Sequence, residues 1–286
     1  MMAHYLPREF GYQPDDFQQI ATLLHTLTGI KLAASKDSMV YSRLVRRIRA
    51  LQLSTFAQYL HYLQQHPEEE QHFINALTTN LTAFFREPHH FELLSSFLTA
   101  NPQTKTIWCS ACSSGEEAYS IAMTLALSFG RFDHGIQIIA SDIDSQVLNV
   151  AAQGIYPLER LQGLPDEHYR HFFYRGKASK TGFARVIPEL QRCIDFKRIN
   201  LLDEPWPIHA PIDVIFCRNV MIYFDKPTQR KVLTRMIRLL APTGLYIAGH
   251  SENYSHLSHI VTAIGKTTYQ PSAQFLQTNV CNAQEA

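Results

Sequence analysis

Long apolar runs are missing from this 286-residue sequence. No stretch approaches the roughly 20 consecutive apolar residues that a membrane-spanning helix needs. The opening Met1 to Glu9 also shows no apolar core behind a basic segment of the kind that directs secretion. The expected protein is cytoplasmic and not membrane-inserted. Charge of one sign is lacking too: 26 Lys and Arg against 25 Asp and Glu give a formal net charge of +1. That balance argues against a globally basic nucleic-acid binder and leaves electrostatic recognition to local patches. Cysteines number only 5, and Cys109, Cys193 and Cys217 lie in apolar, strand-like contexts where a thiol behaves as a small hydrophobe, so disulfides are not implied. The pair Cys109 and Cys112 has no second Cys-x-x-Cys to complete a metal site, and its flanks do not resemble a redox motif. The 14 histidines form no His-Glu-x-x-His pattern, His89-His90 reads as a solvent-exposed pair in a helix's first turn, and no metal is expected. What is present, 45% hydrophobic and 18% charged residues, is enough for a large core, and the length suggests about two domains.

A clean Gly-x-Gly-x-x-Gly is also lacking, and the place where it fails is informative. Strand-like Ile107-Trp108-Cys109 runs into the loop Ser110-Ala111-Cys112-Ser113-Ser114-Gly115, then a helical Glu116 to Phe129, then a second strand from Ile136 to Asp142. A small-residue turn between strand and helix lets a ligand approach the backbone, and an acidic residue ending the next strand can accept two ribose hydroxyl protons. This is the layout of an adenosine site. Ala111 and Ser114 stand where glycines would be, so a nucleoside fits better than a dinucleotide with its pyrophosphate. The other reading is a plain α/β core in which Asp142 caps the following helix.

Residues 14 to 80 read as helices with short connections. Phe17, Ile20, Leu24 and Leu27 recur at helical spacing between Pro14 and Gly29. From Asp37 to Leu51, Val40, Leu44, Ile48 and Leu51 form one apolar stripe, while Arg43, Arg46 and Arg49 cluster away from it and Arg47 lies at its edge. No acidic residue follows Asp37 in this helix, so i,i+4 pairing cannot neutralise the basic face. It is either a solvated surface or a site for an acidic partner. Helices over 55 to 65 and 68 to 77 complete a small bundle. The aperiodic Thr78 to Pro88 marks a domain junction, with Arg86 either a snorkelling surface residue or an anion clamp.

Beyond the central stretch, residues 155 to 190 are irregular and rich in Tyr and Phe, which suits an inserted antiparallel sheet with an edge for a peptide, or a loop-rich cover. Ile194 to Asn200 and Ile212 to Cys217 read as further strands, the latter near-continuously apolar as buried parallel strands are. Helix Lys226 to Leu240 and strand Leu245 to Ala248 continue an α/β alternation with a mainly parallel sheet.

Several separated segments resemble one family. Asn80-Leu81-Thr82-Ala83-Phe84-Phe85-Arg86, Ser114-Gly115-Glu116-Glu117, Ala140-Ser141-Asp142-Ile143-Asp144, Phe216-Cys217-Arg218-Asn219-Val220-Met221-Ile222-Tyr223-Phe224 and Gly249-His250-Ser251-Glu252 are similar to the chemotaxis receptor glutamate methyltransferases, the CheR family. The resemblance runs in order from about Phe17 to Tyr269. It implies a helical N-terminal domain for receptor recognition over 1–78, a junction over 79–99, and over 100–286 a Rossmann-like S-adenosylmethionine-dependent methyltransferase domain with a β-subdomain inserted at about 155–192. It implies S-adenosylmethionine as methyl donor and S-adenosylhomocysteine as product. The implied partners are chemoreceptor cytoplasmic helices, whose glutamates accept the methyl group, and a receptor C-terminal peptide on the β-subdomain.

Carried over by motif, Asn80, Thr82 and Arg86 meet the methionine part of the cofactor, Glu117 its loop and Asp142 its ribose. Asn200, Leu201, Arg218 and Asn219 surround the adenosine and reaction pocket. Arg86, Arg218 and Tyr223 are the candidate catalytic residues; Arg43, Arg46, Arg47 and Arg49 the candidate receptor-binding ones. Ala118 departs from the proline often found after Glu-Glu, which relaxes the loop without removing a ligand group. The implied chemistry needs no general base, because a glutamate is already ionised at neutral pH and a sulfonium is an intrinsically reactive donor. Two other classes stay open: a nicotinamide-dependent dehydrogenase, which would also place Asp142 on a ribose, and a non-catalytic receptor-binding scaffold.

Overall fold

The computed structural model describes residues 9–284, in two compact units. The reading of Met1 to Arg8 lies outside the described residues, as does any statement on the Cys281 side chain.

The first unit is helical. It contains α1 (Pro14–Thr28), α2 (Asp37–Ala50), α3 (Phe56–Gln65) and α4 (Pro67–Leu77). The start of α1 is fixed by Pro14 in the first turn and by Asp16, whose carboxylate accepts from the Gln13 N–H at 2.7 Å; its end is fixed by Gly29 at φ 75°. Thr55 caps α3 by accepting from the Gln58 N–H. The stripe Val40, Leu44 and Ile48 is fully buried, in the same unit as buried Ile20, Leu24, Tyr59 and Phe73.

The arginine face of α2 is not the free basic surface that its sequence predicts. Arg43 donates to the carbonyls of Leu77 (3.1 Å) and Thr78 (2.6 Å) at the end of α4. Arg47 grips buried Glu69 with two hydrogen bonds of 2.8 and 2.6 Å, and Glu69 also accepts from the Tyr59 hydroxyl. Arg49 pairs with Glu9 at 2.7 Å, with both side chains exposed, which leaves Arg46 as the exposed arginine with no hydrogen bond or ion pair among the described residues. The neutralising groups come from other segments, which spacing along α2 cannot reveal.

Tyr223–Asp225 cluster with this helical unit. The Lys31 N–H donates to the Tyr223 carbonyl, Ile30 bridges Phe224, and His25 meets Asp225 at 3.3 Å.

The second unit is α/β. After α5 (His89–Ala100) come β1 (Thr106–Cys109), α6 (Glu116–Phe129), β2 (Gln137–Asp142) and α7 (Ser145–Gln153). The insertion holds β3 (Ile155–Pro157), α8 (Asp166–Phe172), β4 (Phe173–Arg175), β5 (Phe183–Val186) and the single turn α9 (Pro188–Gln191). Then follow β6 (Ile194–Arg198), β7 (Ile212–Cys217), α10 (Lys226–Leu239), β8 (Leu240–Ala248), β9 (Val261–Gly265), β10 (Thr268–Pro271) and α11 (Ala273–Gln284).

The main sheet has seven strands in the order β6-β2-β1-β7-β8-β10-β9. Neighbours from β6 to β8 are parallel, and β10 is antiparallel to both β8 and β9. The insertion forms a separate antiparallel sheet, β3-β5-β4. This is an α/β, Rossmann-like domain preceded by an all-α part, with the small inserted antiparallel sheet expected from the Tyr- and Phe-rich residues 155 to 190. The segment read as irregular also carries α8, whose acidic Asp166 and Glu167 begin it and whose Arg170 and His171 end it, as the helix dipole favours; seven residues are too few for a periodic signal. Helix α6 is buried from Glu116 to Ala126 and packs on α5, so it shows no amphipathic stripe. Cys109, Cys112, Cys193 and Cys217 are free thiols.

Candidate active site

The loop from β1 to α6 explains why one glycine suffices. Its backbone is tied to neighbouring strands: Ser110 N–H donates to Phe216 O and Cys112 N–H to Ser141 O, each at 2.9 Å. Gly115 takes φ 96°, and a Cβ there would lie 2.7 Å from Ala151 Cβ and 2.9 Å from the Tyr156 hydroxyl, so neither conformation nor space admits a side chain. The Tyr156 hydroxyl in turn donates to Ser114 O at 2.6 Å.

Asp142 ends β2, as the sequence predicts, and is buried. Its Oδ2 accepts from the Ser113 N–H at 2.8 Å and its Oδ1 from the Asp144 N–H at 3.0 Å. Burial pushes its carboxyl up to about 6 against these hydrogen bonds. The helix-cap reading of Asp142 is corrected: Asp144 caps α7, accepting from Gln146 and Val147 N–H groups. Asn80 joins this cluster by donating to Asp144 at 2.7 Å and accepting at its carbonyl from the Ser113 hydroxyl.

Arg218, at the end of β7, is 4% exposed and already committed. It meets Glu117 at 2.5 Å and Glu87 at 3.3 Å, and donates to the Arg86 carbonyl. Burial opposes its charge, but Glu117 and Glu87 more than offset this and raise its pKa. Through its two terminal NH2 groups the guanidinium organises the site's own acids, while its buried Nε has no hydrogen-bond partner among the described residues. For Glu87, burial works the other way, yet the hydrogen bond from His250 and the charge of Arg218 hold its carboxyl down to about 2.

His90 is 0% exposed, which overturns the solvent-exposed reading of His89-His90; the sequence carries no sign that Thr267 accepts or donates at its Nε2, 2.8 Å away. Burial and the nearby Arg218 push His90 down to about 3, so it is neutral at neutral pH. Glu87, His89 and His90 bring ligand-type atoms within 4.8 Å of one another. Arg218 already occupies Glu87, however, and its charge disfavours a cation there.

Glu252 is the residue that sequence reasoning missed most clearly. Its buried carboxylate accepts from the N–H groups of Asn219 (3.1 Å), Val220 (3.0 Å), Met221 (2.8 Å) and Gly249 (2.7 Å). It thereby fixes the backbone after Arg218, where Asn219 sits at φ 57°. Phe85, Glu87 and Ser113 also adopt positive φ, so strained backbone gathers on the loops of this site. The only sequence signal for Glu252 was the polar motif from Gly249.

The other candidates are distributed as follows. Asn200 and Leu201 follow β6, with Asn200 Oδ1 accepting from Leu202 N–H and Leu201 O from Arg235. Thr82 offers its carbonyl to Arg160, and Arg86 donates one N–H to Leu81 O. Tyr223 clusters with the helical unit, and its hydroxyl makes no hydrogen bond among the described residues.

Asn200-Leu201, Asp142, Ser110 to Gly115 and Arg218-Asn219 thus follow the carboxyl ends of neighbouring parallel strands β6, β2, β1 and β7, and strand order reverses beside β1. The donor set suits S-adenosylmethionine: a buried carboxylate for the ribose diol and small residues on the loop beside it. It does not suit a dinucleotide. The first turn of α6, where a pyrophosphate would seat, holds buried Glu116 and Glu117.

Comparison with known proteins gives the same answer. Residues 15–78 match the family described as CheR methyltransferase, all-alpha domain, and residues 80–270 that described as CheR methyltransferase, SAM binding domain. The chain is 53% identical over 268 residues to "Chemotaxis protein methyltransferase 2" of Pseudomonas aeruginosa, covering 93% of this chain and 96% of that one. It is 48% identical over 255 residues to "Chemotaxis protein methyltransferase" of Escherichia coli, covering 88% and 89% respectively. With both parts matched and the relatives covered over most of their length, the chain belongs to the CheR family of S-adenosylmethionine-dependent chemotaxis methyltransferases.

Proposed function

We propose that this methyltransferase transfers the methyl group of S-adenosylmethionine to glutamate side chains on the cytoplasmic helices of chemoreceptors, giving methyl esters. The observation that carries the reading is the engagement of the acids on the loops after β1, β2, β7 and β8 and before α5. Glu117 and Glu87 are held by Arg218, and Asp142 and Glu252 by backbone N–H groups. Buried His90 is a poor base at about 3. A hydroxyl or amine acceptor would need a base to remove its proton, whereas a glutamate, with a reference pKa of about 4.3, arrives ionised.

Bound S-adenosylmethionine supplies an electrophilic methyl group. The chain's part is binding, alignment and exclusion of water. Arg86, with its planar five-donor guanidinium, takes the methionine carboxylate alongside Asn80 and Thr82. Asp142 takes the ribose hydroxyls, and Glu117, Asn200, Leu201 and Asn219 border the nucleoside. Arg218 acts as a positioning residue that holds Glu117 and the Arg86 carbonyl. Tyr223 offers a hydroxyl to the incoming carboxylate, whose charge disappears in the transition state, so a weak hydrogen bond serves better than a salt bridge. The domain reading stands with this proposal: receptor recognition over 1–78, a junction over 79–99 and transfer over 100–286. Labelled methyl transfer to a receptor cytoplasmic fragment, lost when the acceptor glutamates are replaced by alanine, tests it.

On α2, the surviving candidates for receptor contact are Arg46, unpaired among the described residues, and Arg49, whose ion pair with Glu9 is exposed on both sides, since Arg43 and Arg47 are occupied in the interior of the unit. Arg46→Ala is therefore expected to lower receptor methylation without lowering the melting temperature. Arg43→Ala, which strips a charged donor from two carbonyls, is expected to cost about 1–3 kcal/mol of stability. Equal melting temperatures for the two variants would contradict this division.

The inserted sheet has β4 at one edge and β3 at the other. We assign β4 the docking of a receptor C-terminal tail as an added strand. Deleting Lys177 to Lys180, between β4 and β5, is expected to abolish tail binding while leaving S-adenosylhomocysteine affinity intact. Retained binding of every tail tested would reject the assignment.

A further inference from the structure

Helix α10 contains no aspartate or glutamate. Its buried face, Val232, Leu233, Met236 and Ile237, packs into the domain, and its outer face carries Lys226, Arg230, Lys231 and Arg238, all exposed. A groove of about 540 Å³ runs along this face, and Glu204 is its acidic lining residue. Glu204 is taken by Arg235, which pairs with it at 3.1 Å, donates to the carbonyls of Leu201 and Asp203, and stacks 3.9 Å over the Trp206 ring. Arg230, Lys231 and Arg238 make no side-chain hydrogen bond or ion pair among the described residues, and Lys226 donates to neutral Gln229.

Lys226 and Arg230 lie at i,i+4, a spacing at which like charges repel on a helix, and Arg238 extends the same row beyond neutral Thr234. Among the described residues no carboxylate pairs with Lys226, Arg230 or Arg238. This distinguishes α10 from α2, whose Arg43, Arg47 and Arg49 have partners. The local field is also felt by His256, whose pKa is lowered by burial and by Lys226 and Arg230.

We propose that this cationic face of α10 docks an acidic helix of the receptor substrate during methylation. The inference rests on the functional reading above. Charge complementarity names the occupant: the row from Lys226 to Arg238 is straight and about 18 Å long, with cations at helical steps, which fits carboxylates repeating at i,i+4 on a facing helix. Position in the chain agrees. The segment carrying Arg218 and Asn219 lies a few residues before α10 in the chain.

The test compares the full-length enzyme with an Arg230→Glu, Lys231→Glu, Arg238→Glu variant and with a charge-conserving Arg230→Lys, Arg238→Lys variant. Methylation of a receptor cytoplasmic fragment is measured across ionic strength, and S-adenosylhomocysteine affinity by calorimetry. Charge reversal is expected to raise KM for the fragment on the order of tenfold at low salt and to flatten its salt dependence, with kcat and cofactor affinity unchanged. The charge-conserving variant should match the wild type. An unaltered KM and salt slope in the reversal variant would overturn the docking surface while leaving the functional reading intact. Loss of binding to phosphatidylserine vesicles with receptor KM unaltered would also overturn it, in favour of a membrane surface. A wild-type enzyme that transfers no methyl to the fragment would overturn the functional reading, and this surface with it.

Discussion

Arg218→Met is expected to lower the free energy of unfolding by about 3–5 kcal/mol, the range for removing one partner of a buried ion pair. Glu117 and Glu87 would remain buried without their shared counter-charge, and the Arg86 carbonyl would lose a charged donor. In the wild type, Glu87 lies at about 2, below its ordinary value of 4.5. The hydrogen bond from His250 and the pairing with Arg218 therefore together contribute stability that is fully present above pH 4.5 and is lost as the pH falls through about 2. In the variant both carboxylates lose their buried counter-charge, so the cost is greatest while they are ionised at neutral pH and shrinks as acid neutralises them. Urea unfolding at pH 7 and pH 5 should accordingly show a smaller deficit at pH 5, and adding Glu117→Gln should recover part of it. A pH-independent deficit below about 1 kcal/mol would show that the cluster does not depend on Arg218.

Asp142→Ala is expected to weaken S-adenosylhomocysteine binding by roughly tenfold to a hundredfold, because hydrogen bonds to a charged acceptor are worth about 1.5–3 kcal/mol. The effect carries a pH signature. Burial raises Asp142 to about 6, and the ionised form is the acceptor for the ribose hydroxyls, so wild-type affinity should fall as pH drops through about 6. The alanine variant should lack that step. Melting curves are needed alongside, since the Ser113 and Asp144 N–H groups also lose their partner. Unchanged affinity in a folded variant would reject the ribose assignment.

What the sequence made legible follows physical range. The stripe Val40, Leu44 and Ile48 and the apolar strand Ile212 to Cys217 are patterns within a few residues, and both appear as expected. The position of Asp142 was legible because an acidic residue closing an apolar strand is a pattern within a few residues. Glu252 was not: it acts on Asn219 to Met221, more than thirty residues earlier, through backbone groups that leave no mark on residue type. Glu87 and His90 were obscured for the same reason, since Arg218 and Thr267 reach them across the fold. Strands β9 and β10 pair antiparallel at the sheet's end and are short, so α/β alternation did not announce them. The basic face of α2 misled because a helix can be neutralised by acids from elsewhere, here Glu69 and Glu9.

The central claim is that a glutamate carboxylate receives the methyl group. Purified enzyme, S-adenosylmethionine labelled in its methyl group and a receptor cytoplasmic fragment should together yield label that base releases as methanol and that maps to glutamate residues on the receptor helices. Label that resists base, or no transfer by an enzyme that binds S-adenosylhomocysteine, would contradict it.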